Sequence, residues 1–428
     1  MQPARSDVIR VILLLLLGWC LLGGENLLLA ESSKESKADE AALRLEVLEL
    51  NQLSGTNAIQ GRLQELIRNE THTRQLLQVA VKMLKEKPLP LNRNTTFLLA
   101  RAAEFLREVD ISAALYRANA GQCLRLYSER GLSEAYIGLI QLYTNNRRHA
   151  ESEKVCREFL AIEGEDNEAI ERLKPLVQRR LILNVARQGA VDRALKMTDE
   201  LIKSDPRNWL HRGLKSQVLR EAERYEEAAR VLLDVIDRIS RDVRLEKEDR
   251  EAFIDEQRYL LSGIYIDMND VEKAAEQLKL LLDREPNNPT YNNDLGYIWA
   301  DRGIKLEEAE RLIRKALDED RKLRRKENPN LKPENDRDNS AYLDSLGWVL
   351  FKQGKPKEAL PYLLEAVKDR DGQHIEIYDH LADVQMALGN KEAAIAAWKK
   401  ALEAATDSKR DQKRKLEVQK KLQAAQDK

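Results

Sequence analysis

Two consecutive stretches near the C-terminal end of this 428-residue chain repeat one pattern of apolar, small and turn-forming residues. Each copy has an inner leucine followed by a small residue, a turn glycine and an alanine, which are Leu346, Gly347, Gly354 and Ala359 in the first and Leu381, Ala382, Gly389 and Ala394 in the second. The spacing predicts two helices in each copy that turn at the glycine and cross at the small residues. One such pair cannot bury its apolar side alone, so the copies are expected to stack.

The crossing alanine recurs upstream in the chain at nearly the same interval. The interval is 34 residues from Ala194 to Ala228, 35 from Ala274 to Ala309 and 35 from Ala359 to Ala394. Two wider intervals separate these pairs and indicate insertions near 240–257 and 318–338. The first insertion lacks Gly and Pro, which predicts a lengthened or additional helix. The second, Asp318 to Asp338, is dense in charges of both signs, which predicts a mobile solvated loop.

The composition agrees with a fold made of many amphipathic helices. Hydrophobic residues make up 43% and charged residues 34% of the chain, with only 18 Gly and 11 Pro. Such a chain favours helices over a β-rich fold. The formal net charge of −1 provides no global basic field for nucleic acid, so no nucleic-acid partner is predicted.

The inner pairs Leu295-Gly296, Leu346-Gly347 and Leu381-Ala382, together with the alanine intervals of 34 and 35 residues, resemble tetratricopeptide repeats (TPRs). This resemblance implies an all-α fold, an α-solenoid (right-handed superhelix) of about eight helix pairs with a C-terminal capping helix. It would comprise an N-terminal helical cap at 41–90, the repeats at 91–402 and the capping helix at 403–428. The stretch from Asn293 to Leu402 is similar to TPR scaffold proteins of the bacterial cell envelope.

The first thirty residues have the pattern of a secretory signal. Arg5 and Arg10 precede the apolar run Val11–Leu22, which has twelve residues and is short for a membrane span of about 20. Cleavage is expected after Ala30, followed by a flexible leader at 31–40 and an extracytoplasmic location, secreted, periplasmic or in the cell envelope. The alternative is an uncleaved segment that anchors the protein, and membrane contact is predicted only in that case.

Two cysteines and a charged C-terminal helix complete the outline. Cys123 and Cys156 are 33 residues apart, so they could form a disulfide on neighbouring helices, although two buried reduced side chains are favoured. The last helix, from about Ala405, should dock through Leu416 and Leu422 and expose its basic residues as a solvated cap.

No catalytic or metal-binding motif stands out. The sequence lacks phosphate-binding glycine loops, a nucleophile elbow and an H-E-x-x-H motif. The adjacent pair Asp379 and His380 is the nearest approach to an acid–base pair, but neighbouring helical side chains point about 100° apart. The protein is therefore predicted not to be an enzyme and to use neither a cofactor nor a metal ion.

The remaining candidate site is the surface formed by the first helices of the strong repeats. Two positions per repeat should face the concave groove: Asn293, Tyr297, Asp344, Trp348, Asp379 and Asp383. Tyr297 and Trp348 each follow the small inner glycine, so they are either exposed anchors for a partner or packing residues between first helices. The family resemblance implies that a peptide segment binds there, and the three aspartates favour a basic or mixed ligand over a C-terminal carboxylate.

Two functions follow from this reading. The first is a non-enzymatic scaffold or adaptor that binds a protein or peptide segment in its concave groove. The second is a regulatory or substrate-presenting subunit of an envelope hydrolase such as a protease, whose activity would lie in a partner chain. The identity of the protein captured from envelope extract would separate the two.

Overall fold

The computed structural model describes residues 39–162, 168–332, 336–406 and 408–427. These residues form helices and connecting turns, without a β-strand in the described part of the chain. The predicted signal sequence and its cleavage point at Ala30 lie outside the described residues. The chain divides into two compact units, Met1–Gln188 and Gly189–Lys428, and each is described by itself.

The described part of the first unit consists of antiparallel helices joined by short turns. Helix α1 covers residues 39–49, and it is followed by α2 (Thr56–Arg68), α3 (Glu70–Met83), α4 (Arg93–Phe105), α5 (Val109–Arg125), α6 (Glu129–Asn145), α7 (His149–Leu160) and α8 (Glu168–Arg187). Helices α4 and α5 pack as one pair and α6 and α7 as the next, while α5 also contacts α6. Consecutive pairs are thus stacked, as the repeat pattern predicts.

The second unit also consists of antiparallel helix pairs. Its helices are α9 (Val191–Ser204), α10 (Trp209–Glu221), α11 (Tyr225–Ser240), α12 (Lys247–Asp267), α13 (Val271–Arg284), α14 (Pro289–Asp301), α15 (Leu306–Glu327), α16 (Ser340–Lys352), α17 (Pro356–Ala366), α18 (Ile375–Ala387), α19 (Lys391–Ala404) and α20 (Lys409–Gln426). One continuous apolar core runs through this unit from Leu219 to Ala425. The fold is therefore the all-α solenoid that the sequence predicts.

Local sequence explains how each pair begins, turns and crosses. At the start of α14 the side chain of Asn288 accepts a hydrogen bond from the Tyr291 amide, and Pro289 fits the first helical position. At its end Gly303 adopts φ +67°, a left-handed conformation that favours glycine and turns the chain into α15. The crossing alanines Ala309, Ala359 and Ala394 are fully buried. These positions match the small-residue pattern in the sequence.

Gly296 tests this close approach, because a Cβ atom there would lie 2.9 Å from the Ala309 carbonyl oxygen and 2.7 Å from Ile313 Cγ1. We expect Gly296→Ala to lower the free energy of unfolding by about 1–3 kcal/mol, since α14 and α15 must move apart. Gly61→Ala is the matched control: Gly61 also lies inside a helix, but a Cβ there meets nothing within 4 Å. The control should stabilise by about 0.5–1 kcal/mol. Urea unfolding of both variants measures the contrast, and equal shifts would contradict it.

The two insertions have different outcomes. The first lengthens α12 to 21 residues, in agreement with the prediction, and Phe253 from this extension packs on Trp209 at 4.7 Å between ring centroids. The prediction of a mobile loop from Asp318 to Asp338 is wrong for its first half, because α15 continues to Glu327. Basic residues of the extended helix α15 form hydrogen bonds with the segment that connects it to α16.

Two arginines of α15 form that anchor. Arg321 Nε donates to Asp338 at 2.7 Å, and Arg324 Nε donates to Asp336 at 2.9 Å. The mixed charges that suggested a solvated loop are thus paired across the end of a helix. Periodicity alone does not reveal this pairing, because the partners are 12 and 17 residues apart.

Cys123 and Cys156 are both buried and both free, so the structure contains the reduced pair and not the disulfide. Burial raises the pKa of the Cys156 thiol to about 12, which keeps it protonated and unreactive near neutral pH. Among the described residues, no helix is long and apolar enough to cross a membrane.

Candidate partner-binding site

The six predicted groove residues lie on three successive first helices. Asn293 and Tyr297 are on α14, Asp344 and Trp348 on α16, and Asp379 and Asp383 on α18. Helix α16 packs against both α14 and α18, so the structure brings the six positions onto one surface. The six positions thus lie together, but most of the side chains that partner binding would need exposed are buried.

Most of these side chains are covered by other parts of the same unit. Asn293 is 7% exposed, and Tyr297 is half-buried with its hydroxyl donating to Glu376 Oε1 at 2.7 Å. This hydrogen bond reaches from α14 to α18, across the position of α16. Burial and the charge of Glu376 raise the pKa of Tyr297 well above its usual range. The tyrosine therefore links α14 to α18.

Trp348 packs inside the unit and does not project into solvent. It is 7% exposed, and its ring stacks on the His380 imidazole with 3.9 Å between centroids and 12° between planes. His380 Nδ1 in turn shares a hydrogen bond of 2.9 Å with Asp344. Burial alone would lower the pKa of His380, but Asp344 and Glu376 outweigh burial and raise that pKa. Of the two readings of Trp348, the contacts match packing between first helices.

The aspartates of α18 are bound by the C-terminal helix α20. Asp379 accepts from Lys421 Nζ at 2.8 Å, from Arg414 Nη1 at 3.2 Å and from Trp398 Nε1 at 3.1 Å. Asp383 accepts from the same Lys421 Nζ at 2.7 Å. The sequence favoured a basic ligand at these acids, and in the structure the chain itself supplies the basic groups.

Helix α20 occupies the place that the first helix of another repeat would take. It packs against α19 and α18, as α16 packs against α15 and α14. Val418 is fully buried in this contact and Leu422 is half-buried, whereas Leu416 is 61% exposed. The prediction that Leu416 docks is therefore wrong, because α20 packs on the repeats through the face that carries Val418 and Leu422.

Sequence reasoning missed the basic face of α20 and its partner Glu376. Arg410, Arg414 and Lys421 are spaced by four and seven residues, so they share one side of a helix. Arg410 Nη2 donates to both carboxylate oxygens of Glu376 at 2.9 and 2.8 Å, and Arg414 Nη2 donates to Oε1 at 2.7 Å. That spacing could have been recognised in the sequence, but charged residues of a terminal helix are ordinarily solvated.

The ionisation of Glu376 links this contact to pH. Burial alone would raise the pKa of Glu376, but Arg414 and Arg410, with smaller effects from His380 and Tyr297, lower it from 4.5 to about 2. A carboxylate with a depressed pKa in the folded state stabilises the fold above its unfolded pKa. The stabilisation is lost as the pH falls through the folded-state value.

We therefore expect the free energy of unfolding of wild-type protein to fall as the pH decreases from about 4.5 towards 2. Glu376→Gln cannot ionise and should show a shallower decrease over the same interval, with lower stability at neutral pH. Urea unfolding at a series of pH values measures both curves. Parallel curves would contradict the assignment of this ionisation to Glu376.

The first unit contains an open cleft, in contrast to the filled groove of the C-terminal repeats. Its volume is about 530 Å³, and it is bordered by α2, α4, α5 and the start of α6. Ile59, Leu63 and Phe97 are half-buried along it, and the ring of Phe97 is held edge-on to Tyr116 at 5.9 Å. The cleft thus has a preformed apolar lining.

The charged residues of the same cleft are mainly basic. Arg93, Arg101 and Arg130 line it together with the single carboxylate Glu134. Arg93 Nη1 donates to Ser128 Oγ at 2.8 Å, while Arg130 Nε pairs with Glu134 at 2.9 Å. Arg101 Nη1 also pairs with Glu104 at 3.2 Å, so the three arginines exceed the two carboxylates by one charge. The apolar lining and this positive charge fit a segment that carries apolar side chains and a carboxylate. Among the described residues, no group of acidic, histidine and cysteine side chains is arranged to hold a metal ion.

Antiparallel helix pairs that stack side by side and cross at small residues define a helical-repeat protein. Residues 180–242, 259–323 and 345–409 match the tetratricopeptide repeat family. These three stretches are tetratricopeptide repeats, and TPRs generally mediate binding to other proteins.

A curated relative shares one part of the chain. A TPR repeat-containing protein of Pseudomonas aeruginosa is 36% identical over 115 residues, which is 27% of this chain and 16% of that protein. The match thus spans about one sixth of the relative's length.

Similar solved structures are TPR proteins with low sequence identity. One from Parabacteroides merdae is 14% identical and covers 67% of this chain and 98% of its own, with a TM-score of 0.43. Another, from Thermus thermophilus, is 21% identical and covers 51% and 97%, with a TM-score of 0.35. Because both scores are below 0.5, the family assignment rests on the matched repeats.

Proposed function

We propose that this protein is a non-enzymatic extracytoplasmic scaffold that binds a segment of another protein along its concave surface. The observation that carries this proposal is the open cleft of about 530 Å³ between first helices of the N-terminal unit. An extended segment with apolar side chains would cover Ile59, Leu63 and Phe97, and its carboxylate would approach the arginines.

The C-terminal groove is a weaker candidate for partner binding, because helix α20 already occupies it. The predicted role of its six residues in partner binding stays a prediction, since α20 already satisfies Asp379 and Asp383. A basic partner would have to replace the contacts of Arg414 and Lys421. The cleft of the first unit requires no such replacement, which makes it the better candidate for the first contact with a partner.

A pair of photoreactive substitutions tests the cleft in the producing cell. Gln60 lines the cleft, and Ala58 is an exposed residue of the same helix that points about 200° away. A photoreactive amino acid at position 60 should give a discrete crosslinked partner, and the same group at position 58 should not. Equal crosslinking at both positions, or none at position 60, would refute the cleft as the binding site.

The identity of the crosslinked protein also tests the second function. A hydrolase of the cell envelope would identify this chain as a regulatory or substrate-presenting subunit. A structural or assembly protein would identify it as a scaffold. Either outcome requires the same cleft, so the binding site and the biological role are tested separately.

The extracytoplasmic location rests on Arg5, Arg10 and the apolar run Val11–Leu22. We expect export with cleavage after Ala30, so that Glu31 becomes the N-terminal residue. Terminal sequencing of the protein from its producing cell measures this. An intact Met1 in the membrane fraction would indicate the uncleaved anchor, and an intact Met1 in the cytosol would exclude export.

A further inference from the structure

The turn between α5 and α6 exposes three apolar side chains within four residues. Leu124 is 62% exposed, Leu126 is 64% exposed and Tyr127 is 94% exposed. Such a cluster on a folded domain commonly marks a surface that contacts another molecule. We refer to these three residues as the apolar turn.

The fold does not require apolar residues in this turn. Tyr127 adopts φ +50°, and the next amide, of Ser128, donates to the Cys123 carbonyl at 2.8 Å. The same hydrogen-bonded turn recurs with Arg107, Arg147 and Asn269 at the left-handed position, where φ is 60°, 57° and 63°. Polar side chains therefore serve this backbone equally well. The exposed tyrosine gains no packing that would offset the cost of the left-handed conformation.

The backbone of the apolar turn is already hydrogen-bonded within the protein. The Leu126 amide donates to the Gln122 carbonyl at 3.0 Å, and the Tyr127 amide donates to the Leu124 carbonyl at 3.3 Å. A segment that enters an apolar environment must satisfy its own backbone groups. The amides of this turn meet that requirement, since those of Leu126, Tyr127 and Ser128 each donate to a carbonyl of α5.

Cationic side chains surround the apolar turn. Arg125 lies within it, Arg130 is 90% exposed, and the exposed Arg93 is tied to the turn through Ser128 Oγ at 2.8 Å. Glu129 and Glu134 are the nearby carboxylates, so the three arginines leave an excess of one positive charge. Leucine and tyrosine beside arginine form the combination that favours a membrane–water interface.

We propose that the apolar turn inserts into the interfacial region of an anionic lipid bilayer. The three apolar side chains are 62–94% exposed beside exposed arginines, an arrangement that suits an anionic membrane surface. The arginines would meet lipid phosphates while Leu126 and Tyr127 lie among the upper acyl chains. The first unit would then rest against a membrane surface. Arg93 and Arg130 also border the partner-binding cleft, so the test uses Leu126 and Tyr127, which do not line that cleft.

The test uses the full chain and a readout that is local to the turn, because residues 11–22 are themselves apolar. Tyr127→Trp places a fluorescent reporter in the turn. Val243→Trp is the matched control, since Val243 is a single apolar side chain that is 90% exposed in the other unit. Vesicles of phosphatidylglycerol with brominated phosphatidylcholine are compared with vesicles of brominated phosphatidylcholine alone. The emission of the native tryptophans is subtracted with the wild-type protein.

We expect a blue shift and bromine quenching for Tyr127→Trp on the anionic vesicles, weaker effects on phosphatidylcholine alone, and neither effect for Val243→Trp. Adding Leu126→Glu to Tyr127→Trp should reduce the apparent affinity reported by that tryptophan at least about tenfold. Circular dichroism establishes that each variant is folded. Equal quenching at positions 127 and 243, or solvent-like emission at 127, would overturn the proposal. Solvent-like emission would point instead to a protein partner for the turn.

Discussion

Replacing Trp348 with alanine should lower the free energy of unfolding of the C-terminal repeats by about 3–5 kcal/mol, the usual range for a buried tryptophan. The side chain is 7% exposed and stacks on His380 at 3.9 Å. The Trp348 ring also contacts Phe351, with 5.3 Å between ring centroids, and Lys352 Nζ lies 4.8 Å from the centroid of the Trp348 ring. Truncation would remove this stacking and leave a cavity beside a buried hydrogen-bonded histidine.

Urea unfolding followed by circular dichroism measures this loss. Trp348→Phe keeps an aromatic ring against His380 and should recover part of the stability, because a smaller cavity remains. A Trp348→Ala protein with unchanged unfolding would show that the residue is free for a partner, the other role that its position after Gly347 allowed. The contacts in the structure instead predict a loss of stability, as the packing interpretation requires.

The second large effect is expected for Asp379→Ala, at about 3 kcal/mol of stability. Its side chain is 3% exposed and accepts hydrogen bonds from α19 and α20. Its removal leaves Trp398 Nε1 without this acceptor and weakens the hold on Lys421 and Arg414. The estimate is at the low end for a broken buried pair, because Lys421 keeps Asp383 and Arg414 keeps Glu376.

Hydrogen exchange of the amides of α20 provides a local measurement of this effect. Asp379→Ala should increase exchange throughout α20 more than in α14, since α20 loses a direct anchor. Glu417→Ala is the control, because Glu417 is an exposed acidic residue of α20 and its loss should change stability by less than about 0.5 kcal/mol. Unchanged protection of α20 in Asp379→Ala would contradict the proposed anchoring.

The sequence by itself determined the helix pairs, their order and their crossing points. Small residues such as Gly296 and Ala394 recur at the helical-repeat period, and a large side chain at such a position would separate two helices. This requirement is local and nearly independent of the rest of the chain, so it is visible in one sequence. The same logic placed the six predicted groove residues on one surface, because equivalent positions of stacked repeats face the same side.

Only the tertiary structure decided whether that surface is open. The spacing that places Tyr297 and Trp348 towards the groove does not reveal that Glu376 and His380 fill the space in front of them. Their burial depends on how closely α14, α16 and α18 approach one another. It depends equally on α20, whose basic face pairs with acids some forty residues earlier in the chain.

The open cleft of the first unit is a second feature that the sequence did not reveal. Ile59 lies in the predicted N-terminal cap, Arg93 and Phe97 lie at the start of the predicted repeats, and no sequence pattern marks them as a site. They form a cleft because α2, α4 and the start of α6 stand apart at this point. Repeat periodicity fixes which face of a helix is buried, because that is set by neighbours along the chain. Whether the opposite face meets solvent or another helix is set by distances between side chains that are remote in sequence.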